Sequence, residues 1–194
     1  MTGVQTCALP IYPPFDGAGE SPGYISDYAP GFRENGGQYT HAVPWLILAL
    51  CQVGETALAW EIARAILPWN HTDTKEKALV YRAEPYVLCG DVYAGENKGR
   101  GGWSWYIGSA AWLYWVIVTE LLGFEKRGDR ARLHPVRDEN LDSFTLIYRF
   151  GTANYHFTAA PDCLFPTLDG VKSDDGWVAL ISDGKTHEAR FPLR

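Results

Sequence analysis

The segment Ser109–Leu122, SAAWLYWVIVTELL, and the stretch that follows it decide the fold class. The segment is strongly apolar and ends at Gly123, a residue typical of helix C-termini, so it predicts a helix buried on most of its circumference. After Phe124 the sequence pattern changes from helical to strand-like. Residues 143–150 (SFTLIYRF) and 154–158 (NYHFT) alternate apolar and polar side chains on either side of a Gly-Thr turn, which predicts a β-hairpin. The chain is therefore expected to be helical first and β second.

Upstream of this segment the pattern is helical after a long loop. Tyr12–Gln38 is rich in Gly and Pro and predicts an ordered loop, and loops of this length are usually functional. His41–Val53 and Thr56–Leu67 predict two helices joined by a short turn, the first ended by Gly54 and the second by Pro68.

A second hairpin is predicted near the carboxyl end. Trp177–Ile181 and Thr186–Phe191 have strand-like composition, and the SDGK between them contains the Asp-Gly signal of a tight turn. The change from a helical to a strand-like pattern over Phe124–Arg137 predicts a domain boundary, with one domain over 12–125 and another over 126–194.

Composition limits the class of partner. The net charge is -6 and the pI is near 5.3, and the sequence shows no basic stripe. This disfavours nucleic acid or an anionic membrane as a partner, because both usually require such a stripe. The longest apolar run is too short to span a bilayer.

Eight Trp and eleven Tyr among 194 residues suit a cleft that stacks on sugars, although core packing accounts for most of them. Four cysteines without metal-ligand spacing argue against a disulfide framework or a zinc site, and indicate a cytoplasmic protein.

The first eleven residues, Met1–Ile11, are interpreted as an artefact. They lack the basic and apolar regions of a signal peptide. The sequencing adapter ACTGGAGTTCAGACGTGTGCTCTTCCGATC translates in one frame to TGVQTCALPI, which is the text of residues 2–11. We therefore expect an adapter joined to a truncated gene, and a missing amino-terminal part of the same polypeptide.

The densest polar cluster is YAPGFRENGGQYTH at 28–41. Glu34 and Asn35 can hold sugar hydroxyls, and Arg33 with His41, at the start of a predicted helix, can hold an anion. This indicates a mixed sugar and anion site. The alternative is a surface loop tied by an Arg33–Glu34 salt bridge with His41 as a helix cap.

A second cluster, GRGGWSWYIGSAAW at 99–112, joins a glycine-rich turn to a helix start. Glycines let backbone N–H groups approach an anion closely. The spacing matches neither of the common nucleotide-binding motifs, and a tight turn alone would also explain it.

Taken in order, these motifs carry a resemblance. YxPGxRENGGQYTHAxxW, a helix pair, EPY at 84–86, GRGGWSWYxGSAAW, LGF and RLHP together resemble the closing part of a glycoside phosphorylase of glycoside hydrolase family 94. The branch acting on β-1,2-glucans, which includes the phosphorylase-like domain of cyclic β-1,2-glucan synthases, is most similar. The resemblance implies an α+β chain: the last helices of an (α/α)6 barrel followed by a β-sandwich carboxy-terminal domain.

The resemblance also implies roles for residues. Tyr28, Arg33 and Glu34 would line the acceptor-sugar subsite, and His41 would contact phosphate together with Ile107 and Gly108. At position 107 the related enzymes usually carry Thr, in WYTGSA, so Ile107 lacks that hydroxyl.

The general acid of the family is an Asp in an earlier segment, and no aspartate here (Asp27, Asp91 or Asp129) has its motif. Asp73 is interpreted as a turn residue. The chain alone is therefore expected to be inactive.

The implied reaction is inverting phosphorolysis of β-linked gluco-oligosaccharides, with inorganic phosphate as co-substrate, no other cofactor and no metal. An acid protonates the glycosidic oxygen while phosphate attacks the anomeric carbon, giving a sugar 1-phosphate. Three alternatives stay open: part of a cyclic β-1,2-glucan synthase, a hydrolase-type transglycosylating domain, or a non-catalytic carbohydrate-binding module.

Overall fold

A computed structural model describes residues 14–15, 22–105 and 108–193. The chain divides into two compact units, one ending at Tyr114 and the other beginning at Trp115. The adapter interpretation of Met1–Ile11 lies outside the described residues, and the predicted domain assignment stays a prediction.

The first unit is mainly helical. Its helices are α1 (Ala42–Val53), α2 (Thr56–Ala65), α3 (Lys75–Tyr81) and the start of α4 (Ser109–Val116). The first helix ends where predicted, because Gly54 adopts the left-handed conformation that its C-cap requires. The second helix ends two residues before the predicted limit, at Ala65, and Pro68 begins a 3-10 turn over Pro68–His71.

One short antiparallel ladder ties this unit together. Strand β1 (Gln38–Tyr39) pairs with β2 (Asp91–Val92), with Tyr39 opposite Asp91. The loop that precedes α1 is thereby joined to the segment that precedes the glycine-rich turn. This pairing brings the two clusters seen in the sequence to one place.

The last helix differs from its prediction in burial. A π-helical turn at Ile117–Leu121 follows α4, its C-cap is Leu122, and Gly123 comes next with φ of 69°. Leu113 and Val116 are buried, but Tyr114 is 70% exposed. The prediction of burial around most of the circumference is therefore wrong, since apolar composition does not fix how many faces of a helix are covered.

The second unit is built from two sheets. The strands are β3 (Phe124–Arg127), β4 (Arg130–Leu133), β5 (Phe144–Phe150), β6 (Ala153–Ala160), β7 (Thr167–Leu168), β8 (Val171–Lys172), β9 (Val178–Ala179) and β10 (Thr186–Pro192). The three-stranded sheet has the order β3-β4-β9, and the five-stranded sheet has the order β5-β6-β10-β7-β8.

One apolar cluster receives side chains from both sheets. Tyr155 and Phe157 of β6 and Phe191 of β10 are fully buried in it, together with Ala131 and Val178 from the smaller sheet. Alternate residues of β6 and β10 are buried, as a sheet with one covered face requires. An α+β chain is thus confirmed at the level of its elements.

The first predicted hairpin is confirmed and the second is wrong. Strands β5 and β6 pair antiparallel around Gly151, which has a positive φ of 58°. By contrast, β9 pairs with β4 in the smaller sheet, while β10 runs parallel to β6 in the larger one. The chain changes sheets between them, and the Tyr155 hydroxyl fixes that crossing by accepting from the Ile181 N–H at 2.6 Å.

Candidate functional site

The polar loop that precedes α1 is held in shape by its own backbone. Arg33 has a positive φ of 45°, and the Gly37 N–H donates to the Arg33 carbonyl at 3.0 Å. A Cβ at Gly37 would lie 2.7 Å from the Gly31 carbonyl oxygen, so only glycine fits there.

Asn35 closes the loop rather than facing a ligand. It is 2% exposed, its Oδ1 accepts from the Phe15 N–H at 2.7 Å, and its Nδ2 donates to the Tyr28 carbonyl at 2.6 Å. Both ends of the amide are occupied by backbone. The sequence interpretation of Asn35 as a sugar-binding group gives way to a structural role.

A cavity of about 370 Å³ lies where the two sequence clusters meet. Its lining residues come from the polar loop, the β1–β2 ladder, the glycine-rich turn and the start of α4: Arg33, Tyr39, His41, Gly90, Asp91, Trp103, Gly108 and Ser109. Of the predicted site residues, the cavity wall includes Arg33, His41 and Gly108. Ile107 lies outside the described residues.

Arg33 is the fixed positive charge of this cavity. Its guanidinium lies over the Tyr28 ring at 5.2 Å and over the Tyr39 ring at 5.5 Å, and its Nε is 3.5 Å from Glu34 Oε2. Burial alone would lower the pKa of Arg33, but Tyr28, Glu34 and Asp91 together raise it above its usual value. The side chain therefore stays cationic at every accessible pH.

Tyr28 and Glu34 are thus joined to the site through Arg33. The Arg33–Glu34 ion pair expected for a simple surface loop is present. The helix cap expected with it is not formed, because the His41 side chain makes no capping hydrogen bond at the start of α1. Neither Arg33 Nε nor Glu34 Oε2 has a hydrogen-bond partner, although both atoms are buried.

His41 packs against glycine and tryptophan. Its ring lies 5.1 Å from that of Trp45, and a Cβ on Gly108 would come within 2.9 Å of its Cε1. Gly108, which directly precedes α4, therefore contacts the histidine at the start of α1. His41 and Gly108 are 67 positions apart in the sequence, yet both line the same cavity.

Asp91 is a site residue that sequence reasoning passed over. It is 3% exposed, and its Oδ1 accepts from the Trp103 N–H at 2.8 Å. Burial raises the pKa of Asp91, against the Trp103 hydrogen bond and the charge of Arg33, which lower it. A Cβ on Gly102 would overlap the Asp91 carboxylate, which explains the last glycine of the GRGG turn. The signal available in the sequence was a lone acidic residue inside an otherwise apolar segment.

The cavity therefore combines an arginine, a histidine and a helix start with a carboxylate and aromatic rings. Cations and free N–H groups suit an anion, whereas a carboxylate and exposed aromatic faces suit a sugar. Within the described part of the chain, no cluster of His, Cys, Asp or Glu has the arrangement of a metal site. No described helix is long and apolar enough to cross a membrane.

Comparison with known proteins identifies the family. The catalytic domain of the glycosyl hydrolase 94 superfamily matches residues 5–123, more than half of the chain. The chain belongs to this superfamily, which confirms the resemblance drawn from the motifs.

Three relatives give the range of similarity. The chain is 40% identical over 151 residues to the cyclic β-(1,2)-glucan synthase NdvB of Rhizobium meliloti (strain 1021), a match that covers 77% of this chain and 5% of the synthase. It is 27% identical to the solabiose phosphorylase of Paenibacillus borealis, over 95% of this chain and 25% of that enzyme. It is 25% identical to the N,N'-diacetylchitobiose phosphorylase of Vibrio proteolyticus, over 93% of this chain and 21% of that enzyme. The chain thus spans a quarter or less of the length of each.

Proposed function

We propose that this chain is the closing part of an inverting glycoside phosphorylase that acts on β-linked gluco-oligosaccharides. Inorganic phosphate is the co-substrate and a sugar 1-phosphate is the product. The first unit contributes the last helices of an (α/α)6 barrel, and the second is the β-sandwich that follows it. The general acid is supplied by an earlier segment of the same cytoplasmic polypeptide.

The observation that carries this proposal is the contact between His41 and Gly108 in a cavity that also holds Arg33. Phosphate is already anionic, so it needs positioning and partial neutralisation rather than a general base. A cation, an imidazole and a helix start supply both. Asp91 is held by the Trp103 N–H in the wall, so it is not assigned as the acid.

On the sugar side, Tyr28, Arg33 and Glu34 line the acceptor subsite. Glu34 retains a buried oxygen without a hydrogen-bond partner, which a sugar hydroxyl can fill as donor. Tyr39 and Trp103 supply aromatic faces at the same cavity.

The experiment is phosphorolysis by the full-length polypeptide. It is incubated with β-1,2- and β-1,4-linked gluco-oligosaccharides, with and without inorganic phosphate, and the products are followed by ³¹P NMR. We expect sugar 1-phosphate only when phosphate is present. Release of free sugar that is independent of phosphate would show a hydrolase instead.

A second candidate is favoured by the 40% identity to a cyclic β-(1,2)-glucan synthase, against 25–27% to the two phosphorylases. In that case the segment serves transglycosylation within a synthase. The same incubation separates the two, because a synthase segment gives oligosaccharides of changed length with no sugar phosphate. Binding without any change in the sugars would indicate a non-catalytic module.

A further inference from the structure

The hydroxyl of Ser109 is buried and has no hydrogen-bond partner within the protein. The residue is 1% exposed, and its Oγ is one of the few buried side-chain atoms of the described residues in this condition. Buried polar groups nearly always find a partner, because leaving one unpaired costs free energy. An unpaired hydroxyl that borders a cavity therefore points to a group that binds there.

Ser109 borders the candidate site, together with His41, Arg33 and Gly108. It is also the first residue of α4, whose first described helical hydrogen bond runs from the Trp112 N–H to the Gly108 carbonyl at 3.2 Å. The first N–H groups of a helix have no partner within it and carry its positive dipole end. The unpaired hydroxyl thus lies where an anion is favoured on independent grounds.

We infer that Ser109 Oγ donates a hydrogen bond to an oxygen of a phosphate held in this cavity, beside Arg33 and His41. The identity of the anion rests on the proposed function, whereas the position of the donor rests on burial and geometry alone. Ser109 is accordingly a binding residue that the family motif did not single out in this chain.

The test compares Ser109→Ala with Ser109→Thr, which keeps the hydroxyl, and with Ser104→Ala as a matched control on the same segment. Inorganic phosphate is the probe, and its binding to the full-length polypeptide is measured by calorimetry and by the shift of the thermal midpoint. Ser109→Ala is expected to weaken phosphate binding about 10- to 100-fold, the range of one hydrogen bond to a charged group. Ser109→Thr is expected to retain most of the binding, and Ser104→Ala all of it.

Stability without phosphate separates this role from a structural one. Because the hydroxyl has no internal partner, Ser109→Ala should unfold at the same temperature as the parent or higher. A lower midpoint without phosphate, or unchanged phosphate binding, would overturn the inference. Turnover reports separately on the proposed function: a polypeptide that binds phosphate through Ser109 but forms no sugar 1-phosphate would refute the phosphorylase and leave the donor in place. A polypeptide that binds no phosphate would refute both.

Discussion

Gly108 and His41 are in contact so close that no side chain fits between them. A Cβ on Gly108 would lie 2.9 Å from the Cε1 of His41, nearer than such atoms approach in folded proteins. The start of α4 and the start of α1 are therefore packed against each other at the wall of the cavity. Any side chain at position 108 must displace the histidine.

Gly108→Ala is expected to raise the KM for phosphate about 10-fold or more, because the imidazole moves from its place in the anion site. It should also lower the thermal midpoint by a few degrees through overpacking. Phosphate-dependent kinetics and thermal unfolding of the full-length polypeptide measure the two effects.

The control for this prediction is the His41→Ala background, which removes the atom that the new methyl would meet. There, Gly108→Ala should have almost no further effect on stability, giving a clear non-additivity in the double-mutant cycle. Strict additivity would show that the two residues are not in contact.

Asp91 should be important for stability, because it is buried and accepts a backbone hydrogen bond. Asp91→Ala leaves the Trp103 N–H without its acceptor, and an unpaired buried donor costs about 1–3 kcal/mol. Asp91→Asn keeps an acceptor oxygen and should lose less, so the difference between the two variants in urea unfolding isolates the hydrogen bond. Equal losses would assign the effect to the charge opposite Arg33 instead.

The second unit carries a pH-sensitive contact. Both ring nitrogens of His187 meet carboxylates, Nδ1 with Asp169 at 2.7 Å and Nε2 with Asp183 at 3.0 Å. These hydrogen bonds, Asp169 first, raise the pKa of His187 above its usual value. The hydrogen bond with His187 is the main cause that lowers the pKa of Asp169, whereas the pKa of Asp183 is lowered first by the Lys185 N–H and then by His187. The imidazolium form is therefore favoured in the folded state.

The sign of the pH dependence follows from linkage. A raised folded pKa gives stabilisation that is complete below the unfolded value of about 6.5 and is lost as the pH rises through the folded pKa. The aspartates act at the other end, because their stabilisation is lost as the pH falls through their depressed pKa values. His187→Gln should remove the alkaline loss seen in thermal unfolding between pH 6 and pH 9. His156→Gln, on neighbouring β6, is the control and should keep it; a parent curve that is flat across this range would contradict the prediction.

Local signals were the part of the fold that the sequence predicted well. Gly54 and the β5–β6 turn at Gly151 act through their own backbone conformation, so their effect is readable from a few neighbours. Helix α3 has such a signal too, since the Thr74 hydroxyl accepts from the Lys77 N–H, but a helix of seven residues is too short to show a helical period in the sequence. What failed was non-local pairing: nothing near β10 indicates that it runs parallel to β6 rather than back along β9.

The same division holds at the candidate site. The loop with Arg33 and the turn with Gly108 were recognisable as motifs, because each is a continuous run of unusual residues. Asp91 and Tyr39 reach the cavity only because β1 pairs with β2, which depends on contacts across more than 50 residues of chain. Burial of the Ser109 hydroxyl is likewise a property of the assembled cavity.

Position 107 provides the last prediction, because the related enzymes usually have Thr where this chain has Ile107. Ile is β-branched like Thr and allows the same backbone, so the substitution Ile107→Thr restores one hydroxyl donor without remodelling the turn. It should lower the KM for phosphate and leave that for the sugar acceptor nearly unchanged. The gain should be larger in the Ser109→Ala background, where the other hydroxyl is missing and the new donor has no competitor. Steady-state kinetics of the four forms of the full-length polypeptide, with phosphate and sugar varied separately, measure this coupling. An effect confined to the sugar acceptor, or none in either background, would show that residue 107 does not face the phosphate.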